Sequence, residues 1–163
     1  MQANSIFGGT FATNSGGLVL DDGASTYDIA TAVAYAIGGK AYSKATVSNG
    51  TFPTTDINTG SAFVALAASQ ACTLVIALNA AGTVVVMQSD VVDLDSGDDF
   101  HDNGGVPSFP NVDFDTYCPI GYAVVKNGSA GSAFTIGSSN WNATGITKSV
   151  VDVLALPTRP AES

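Results

Sequence analysis

Two apolar runs, Cys72-Thr73-Leu74-Val75-Ile76-Ala77-Leu78 and Thr83-Val84-Val85-Val86-Met87, flank the tetrapeptide Asn79-Ala80-Ala81-Gly82. Aliphatic and β-branched residues fill both runs, without the polar alternation of a strand that has one wet face. The connecting residues suit a short hairpin loop, with Gly82 in the left-handed position that closes it. A hairpin that is apolar on both sides needs two covers. It lies either in the centre of a sandwich or against another subunit.

The text around this hairpin reads as further strands. Tyr27, Ile29, Thr31, Val33, Tyr35 and Ile37 alternate with smaller or polar residues at a period of two. A helix competes there, because Ser25 and Asp28 resemble a capping box and Gly38 could end it, but the alternation favours a strand. Gly38-Gly39 followed by Lys40-Ala41-Tyr42-Ser43 predicts a tight hairpin. Further strands are expected at Gly17–Asp21, Ser61–Ala68, Ile120–Lys126, Ser132–Gly137 and Ile146–Leu156, the last stopped by Pro157 and Pro160. The helices that alternate with strands in parallel α/β proteins are missing. The fold class is therefore all-β: an antiparallel sandwich or jelly roll of about eight or nine short strands. Residues 17–163 form a single domain. Residues 1–16, rich in Gly, Asn, Ser, Thr and Ala, are expected to be a flexible N-terminal arm. Phe7 and Phe11 within it are candidate anchors on a neighbouring subunit or shell, set against a frayed terminus with casual contacts.

Composition narrows the function classes. The chain has 163 residues, five Lys+Arg against fourteen Asp+Glu, and a formal charge of −9. Coulomb repulsion disfavours a nucleic-acid phosphate backbone and an anionic membrane surface as partners. No basic n-region opens the sequence, and no apolar stretch approaches the length of a membrane span. The chain therefore reads as soluble. Cys72 and Cys118 form no metal or redox motif; a disulfide and two isolated buried thiols are the alternatives, with the apolar setting favouring the thiols.

Few residues offer chemistry. Six of the fourteen acids fall between 90 and 102. Asp93, Asp95, Asp98 and Asp99 flank Gly97 in an order similar to the start of a calcium loop, so Ca²⁺ or Mg²⁺ is a candidate ligand. The bidentate Glu that completes an EF-hand loop is missing, since Glu162 is the only Glu in the chain. A solvated acidic loop is the competing reading. His101, the single histidine, has neither a nucleophile-elbow serine nor zinc-ligand spacing to accompany it. Asp113 and Asp115 are a carboxylate pair without the opposed geometry a glycosidase needs. Trp141, the single tryptophan, is the candidate platform of a carbohydrate-binding module, together with the long loop 95–117. A loop of that length is usually functional or disordered, and its acids, glycines and prolines place it at the surface.

A wider pattern carries a resemblance. It runs from Val33-Ala34-Tyr35-Ala36-Ile37-Gly38-Gly39-Lys40-Ala41-Tyr42-Ser43-Lys44-Ala45 through the Leu78–Val84 hairpin. Pro119-Ile120-Gly121-Tyr122-Ala123-Val124-Val125 and Phe134-Thr135-Ile136-Gly137 continue it, and Gly145-Ile146-Thr147, Val151-Asp152-Val153 and Leu156-Pro157 close it. Over roughly residues 33–160 the chain resembles a group of virion structural proteins encoded near the head genes of tailed bacteriophages. The resemblance implies a β-rich decoration, or cement, protein on the capsid exterior, commonly a homotrimer, with the major capsid protein as partner. It implies no catalytic or ligand residues. A head-fibre or tail-fibre domain and a carbohydrate-binding module for host attachment are the alternatives, and a hydrolase built on His101 or Asp113 ranks third.

Overall fold

The computed structural model describes residues 8–100 and 105–161. Among them there is no helix, and eleven strands form three antiparallel sheets. In chain order the strands are β1 Phe11–Ala12, β2 Leu18–Leu20, β3 Thr26–Ile29, β4 Val33–Ile37, β5 Lys40–Lys44, β6 Val47–Thr51, β7 Gln70–Leu78, β8 Val84–Gln88, β9 Val92–Asp93, β10 Cys118–Asn127 and β11 Ile146–Asp152. The largest sheet runs β11-β10-β7-β8, with β9 pairing the start of β7. Two three-stranded sheets, β1-β4-β5 and β2-β3-β6, complete the molecule. The all-β antiparallel architecture is as expected.

The central hairpin forms as expected, with Leu74↔Gln88 to Leu78↔Val84 as its register, and Gly82 closes its loop at φ +74°. Alternate residues of β7 serve different cores. Cys72, Leu74, Ile76 and Leu78 join the main core against the two smaller sheets, while Val75 and Ala77 join a second core on the other face. β10 does the same with a change of phase. Its register slips between Pro119 and Gly121, so that Ile120 and Ala123 both face the main core and Tyr122 and Val124 the second. Gly121 at the slip lets β2 approach closely, since a Cβ there would meet Leu18 Cδ2 at 2.6 Å.

The two covers anticipated for β7 both come from this chain. The second face is dried by Phe100, Val106, Phe109, Val112, Tyr117 and Leu156, from the long loop and the C-terminal tail. Buried Thr73 Oγ1 fixes the loop by donating to the Pro107 carbonyl at 2.9 Å, and Phe109 packs edge-on against Tyr122, with centroids 5.0 Å apart. The tail is held at Ala161, whose N–H donates to the Tyr122 hydroxyl.

Four expectations are revised. The period-two run from Tyr27 to Ile37 is two strands, in different sheets, separated where Ala30 and Thr31 donate to the carbonyls of Gly17 and Gly16. The alternation survives the break because Tyr27, Ile29, Val33, Tyr35 and Ile37 all reach the main core. Ser61–Ala68 and Ser132–Gly137 are not strands; each contributes isolated bridges, Thr55↔Ala62 and Leu66↔Phe134. A turn at Asp56 precedes the first and a turn at Thr135 interrupts the second, and Phe63, Leu66, Phe134 and Ile136 act as core plugs. Of the 1–16 segment, residues 1–7, with Phe7, lie outside the described residues. Within the remainder, β1 pairs with β4, and the Asn14 side chain bridges the Ala32 carbonyl and the Ala34 N–H. Polar residues that suggest an arm are here the hydrogen bonds of a sheet edge.

Cys72 and Cys118 are free and buried. Cys72 sits opposite Val125 and Cys118 opposite Leu78, so six residues of β7, about 20 Å, separate them. A disulfide needs Cα atoms within about 7 Å. Burial pushes the Cys72 thiol up to about 12, against a lowering hydrogen bond from Gln88, and the Cys118 thiol up to about 11, against one from the Ala36 backbone. Raised folded-state values hold their full stabilisation below the ordinary thiol value of 9.0 and lose it as pH climbs through 11 to 12. The unfolding free energy is therefore expected to decline above about pH 9, and a thiol reagent to label both cysteines only on unfolding. Urea titration across alkaline pH and labelling with and without denaturant check both. Phe109→Ala is expected to lower stability by about 2 kcal/mol and to raise binding of a hydrophobic dye, as the second face loses part of its cover.

Candidate functional site

Strand β7 separates the surface features by its length. At its Gln70 end lies the acidic loop, and each of the four candidate metal ligands has a structural engagement there. Asp93 accepts from Gln70 Nε2 at 3.1 Å. Asp95 Oδ1 accepts the N–H groups of Gly97 and Asp99 at 2.8 and 3.0 Å, closing its own turn. Asp98, at φ +60°, accepts the Ser129 N–H and hydroxyl across the gap to the 127–131 turn. Asp99 pairs with Lys126 at 3.4 Å, and Lys126 also lies over the Phe100 ring. The order along the chain is similar to a calcium loop, whereas the carboxylates spread to separate partners. Among the described residues no group of three or more His, Cys, Asp or Glu could hold a metal ion. The loop is a clasp that ties the start of the long cover to the β10–β11 end of the sheet. Addition of Ca²⁺ is expected to leave the unfolding temperature unchanged, and Asp98→Ala to lower stability by about 1–2 kcal/mol through the lost Ser129 bonds; calorimetry reads both.

His101 lies outside the described residues. Asp113 builds a turn, its Oδ1 accepting from Asp115 N and its carbonyl from Thr116 and Tyr117. Trp141 is only 1% exposed, wedged between Phe52 and Phe134 at centroid distances of 5.1 and 5.5 Å. It cannot serve as a sugar platform. The indole anchors the main core, and that part of the carbohydrate reading is withdrawn.

Phe11 stands differently. It is 44% exposed, and its two chain neighbours are bonded to two other elements. Thr10 Oγ1 donates to the Phe114 carbonyl at 2.6 Å, and Ala12 N to the Leu154 carbonyl at 2.7 Å. Phe114 and Leu154 are themselves 47% and 50% exposed. The edge strand, the long loop and the tail thus meet at backbone level, and each carries an exposed large apolar residue there. Sequence pattern points to Phe11 alone, since Phe114 and Leu154 gain their meaning only from the two hydrogen bonds.

A second feature went unmarked in the sequence. A groove of about 470 Å³ lies between the 56–59 turn, the end of β8 and the 106–111 part of the long loop, and Arg159 of the tail contributes to its lining. Asp56 shapes one side: Oδ1 accepts from Asn58 N at 2.8 Å and its carbonyl from Thr59 and Gly60. Asp-Ile-Asn-Thr-Gly is a legible Asx-turn, the one local signal that was available. Asn58 Nδ2 then reaches the Asn111 carbonyl at 2.7 Å and pins the opposite wall.

No protein-family model, curated protein or solved structure matches the chain.

Proposed function

We propose that this chain is a virion structural protein of the head-decoration, or cement, type, without enzymatic activity. Copies assemble as a homotrimer on the capsid exterior and bind the major capsid protein, and neither nucleic acid nor membrane is a partner. The observation that carries this reading is the exposure of three large apolar residues, Phe11, Phe114 and Leu154, on segments that hydrogen-bond to one another at the edge strand β1. Large apolar side chains grouped at a surface favour contact with another protein over exposure to water. The resemblance of residues 33–160 to phage head-associated proteins supports the same reading. So does a negative charge of −9, which keeps free copies apart until short-range contacts outweigh the repulsion. The action is mechanical. Many modest interfaces, repeated over a shell, add to the free energy needed to separate capsomers.

Purified protein added to heads that lack it is expected to bind in stoichiometric copy number and to raise their resistance to heat. Light scattering of the free protein is expected to give a trimer. Phe11→Asp is expected to shift the protein toward monomer and to cut head binding at least tenfold, with the unfolding temperature retained because Phe11 is half outside the core. A monomeric wild-type chain, together with normal particles from a deletion mutant, would overturn the reading.

A further inference from the structure

We infer that the groove walled by Asp56, Asn58, Asp90, Phe109 and Arg159 binds a neutral saccharide. At about 470 Å³ it falls in the size range of small-molecule sites, roughly 300–1,000 Å³. Its lining selects the ligand by chemistry. Two carboxylates, on a chain of charge −9, repel an anion. A bare divalent cation would need more oxygen ligands than Asp56 and Asp90 supply, and both Asp56 oxygens already accept backbone N–H groups, from Asn58 and Gln88. A wholly apolar ligand would strand the polar groups of the lining without partners. A sugar hydroxyl both donates and accepts, so it satisfies carboxylate acceptors and guanidinium donors in one site. Asp90 accepts, Arg159 donates, and the Asn58 carboxamide does both. Phe109, held edge-on by Tyr122, supplies an apolar wall for the C–H face of a pyranose ring.

Both walls are fixed before any ligand arrives. Thr73 holds the loop at the Pro107 carbonyl and Asn58 holds it at the Asn111 carbonyl, so binding immobilises little further chain. This site is independent of the apolar surface at β1, and loss of head attachment would leave it intact.

The test is a titration of the isotope-labelled full chain, followed by backbone amide shifts, with cellobiose, maltose, lactose and N,N′-diacetylchitobiose. At least one of the four is expected to give saturable shifts confined to residues 56–59, 88–92 and 106–111. Asp90→Ala and Arg159→Ala, both exposed positions, are each expected to weaken that binding about tenfold with an unchanged unfolding temperature. Lys40→Ala, on β5 outside the groove lining, is expected to leave it unaltered. The inference is overturned by any of three results: no saturable shift with all four sugars, the same shifts produced by calcium chloride alone, or full affinity retained in both groove variants.

Discussion

Strand β7 sends apolar side chains to both of its faces, and water must be kept from each by a different part of the chain. The main core solves one side with two small sheets. The other side is closed by loop and tail residues, with Phe109 and Val106 packed on Val75, Met87 and Tyr122. Burial of this kind stabilises by about 25 cal/mol per Å² of apolar surface, and the cover gains it without forming a ladder of its own. Every surface feature follows from that division. The acidic loop is where the cover begins, the groove is where it meets the 56–59 turn, and Phe114 marks where it passes β1.

Charge and polarity are used in the same economical way. With so few ionic groups, several acids hold backbone: Asp56, Asp95 and Asp113 close turns, and the Asp152 carboxylate receives the Leu18 N–H with both oxygens. Asn127 does this inside the core, donating to the carbonyls of Leu66 and Ser132. Such side chains tie irregular segments to the sheet where strand pairing ends.

The sequence announced the elements whose signals are local. The β7–β8 and β4–β5 hairpins, β10 and β11 are legible because apolar runs are bounded by Asn, Gly or Pro. Legibility failed where tertiary contact decides. Nothing within Ser132–Gly137 reveals that Phe134 plugs the core beside Trp141, and nothing near Asn14 reveals that its amide will complete the edge of β4. The groove is harder still. Asp56, Asp90, Phe109 and Arg159 are spread over a hundred residues of chain and share no motif, so only folding brings them together. The acidic loop is ambiguous in a different way: its spacing is similar to a motif, while Asp93, Asp95, Asp98 and Asp99 each accept from a different partner.

The slip in β10 between Pro119 and Gly121 has a consequence for how the protein can vary. One extra residue exchanges inside for outside in everything downstream, so that Ala123, Val125 and Asn127 share the face that Cys118 and Ile120 occupy upstream. Deleting a residue beyond the slip, within the regularly paired Tyr122–Lys126 stretch, would turn the side chains that follow to the opposite face and carry the Asn127 amide out of reach of Leu66. Single-residue length changes are thus barred from the strand beyond its slip, while the exposed Ala80-Ala81 tip of the turn at the end of β7 is free to lengthen. Evolution can remodel the rim of this molecule by insertion, but its central strand only by substitution.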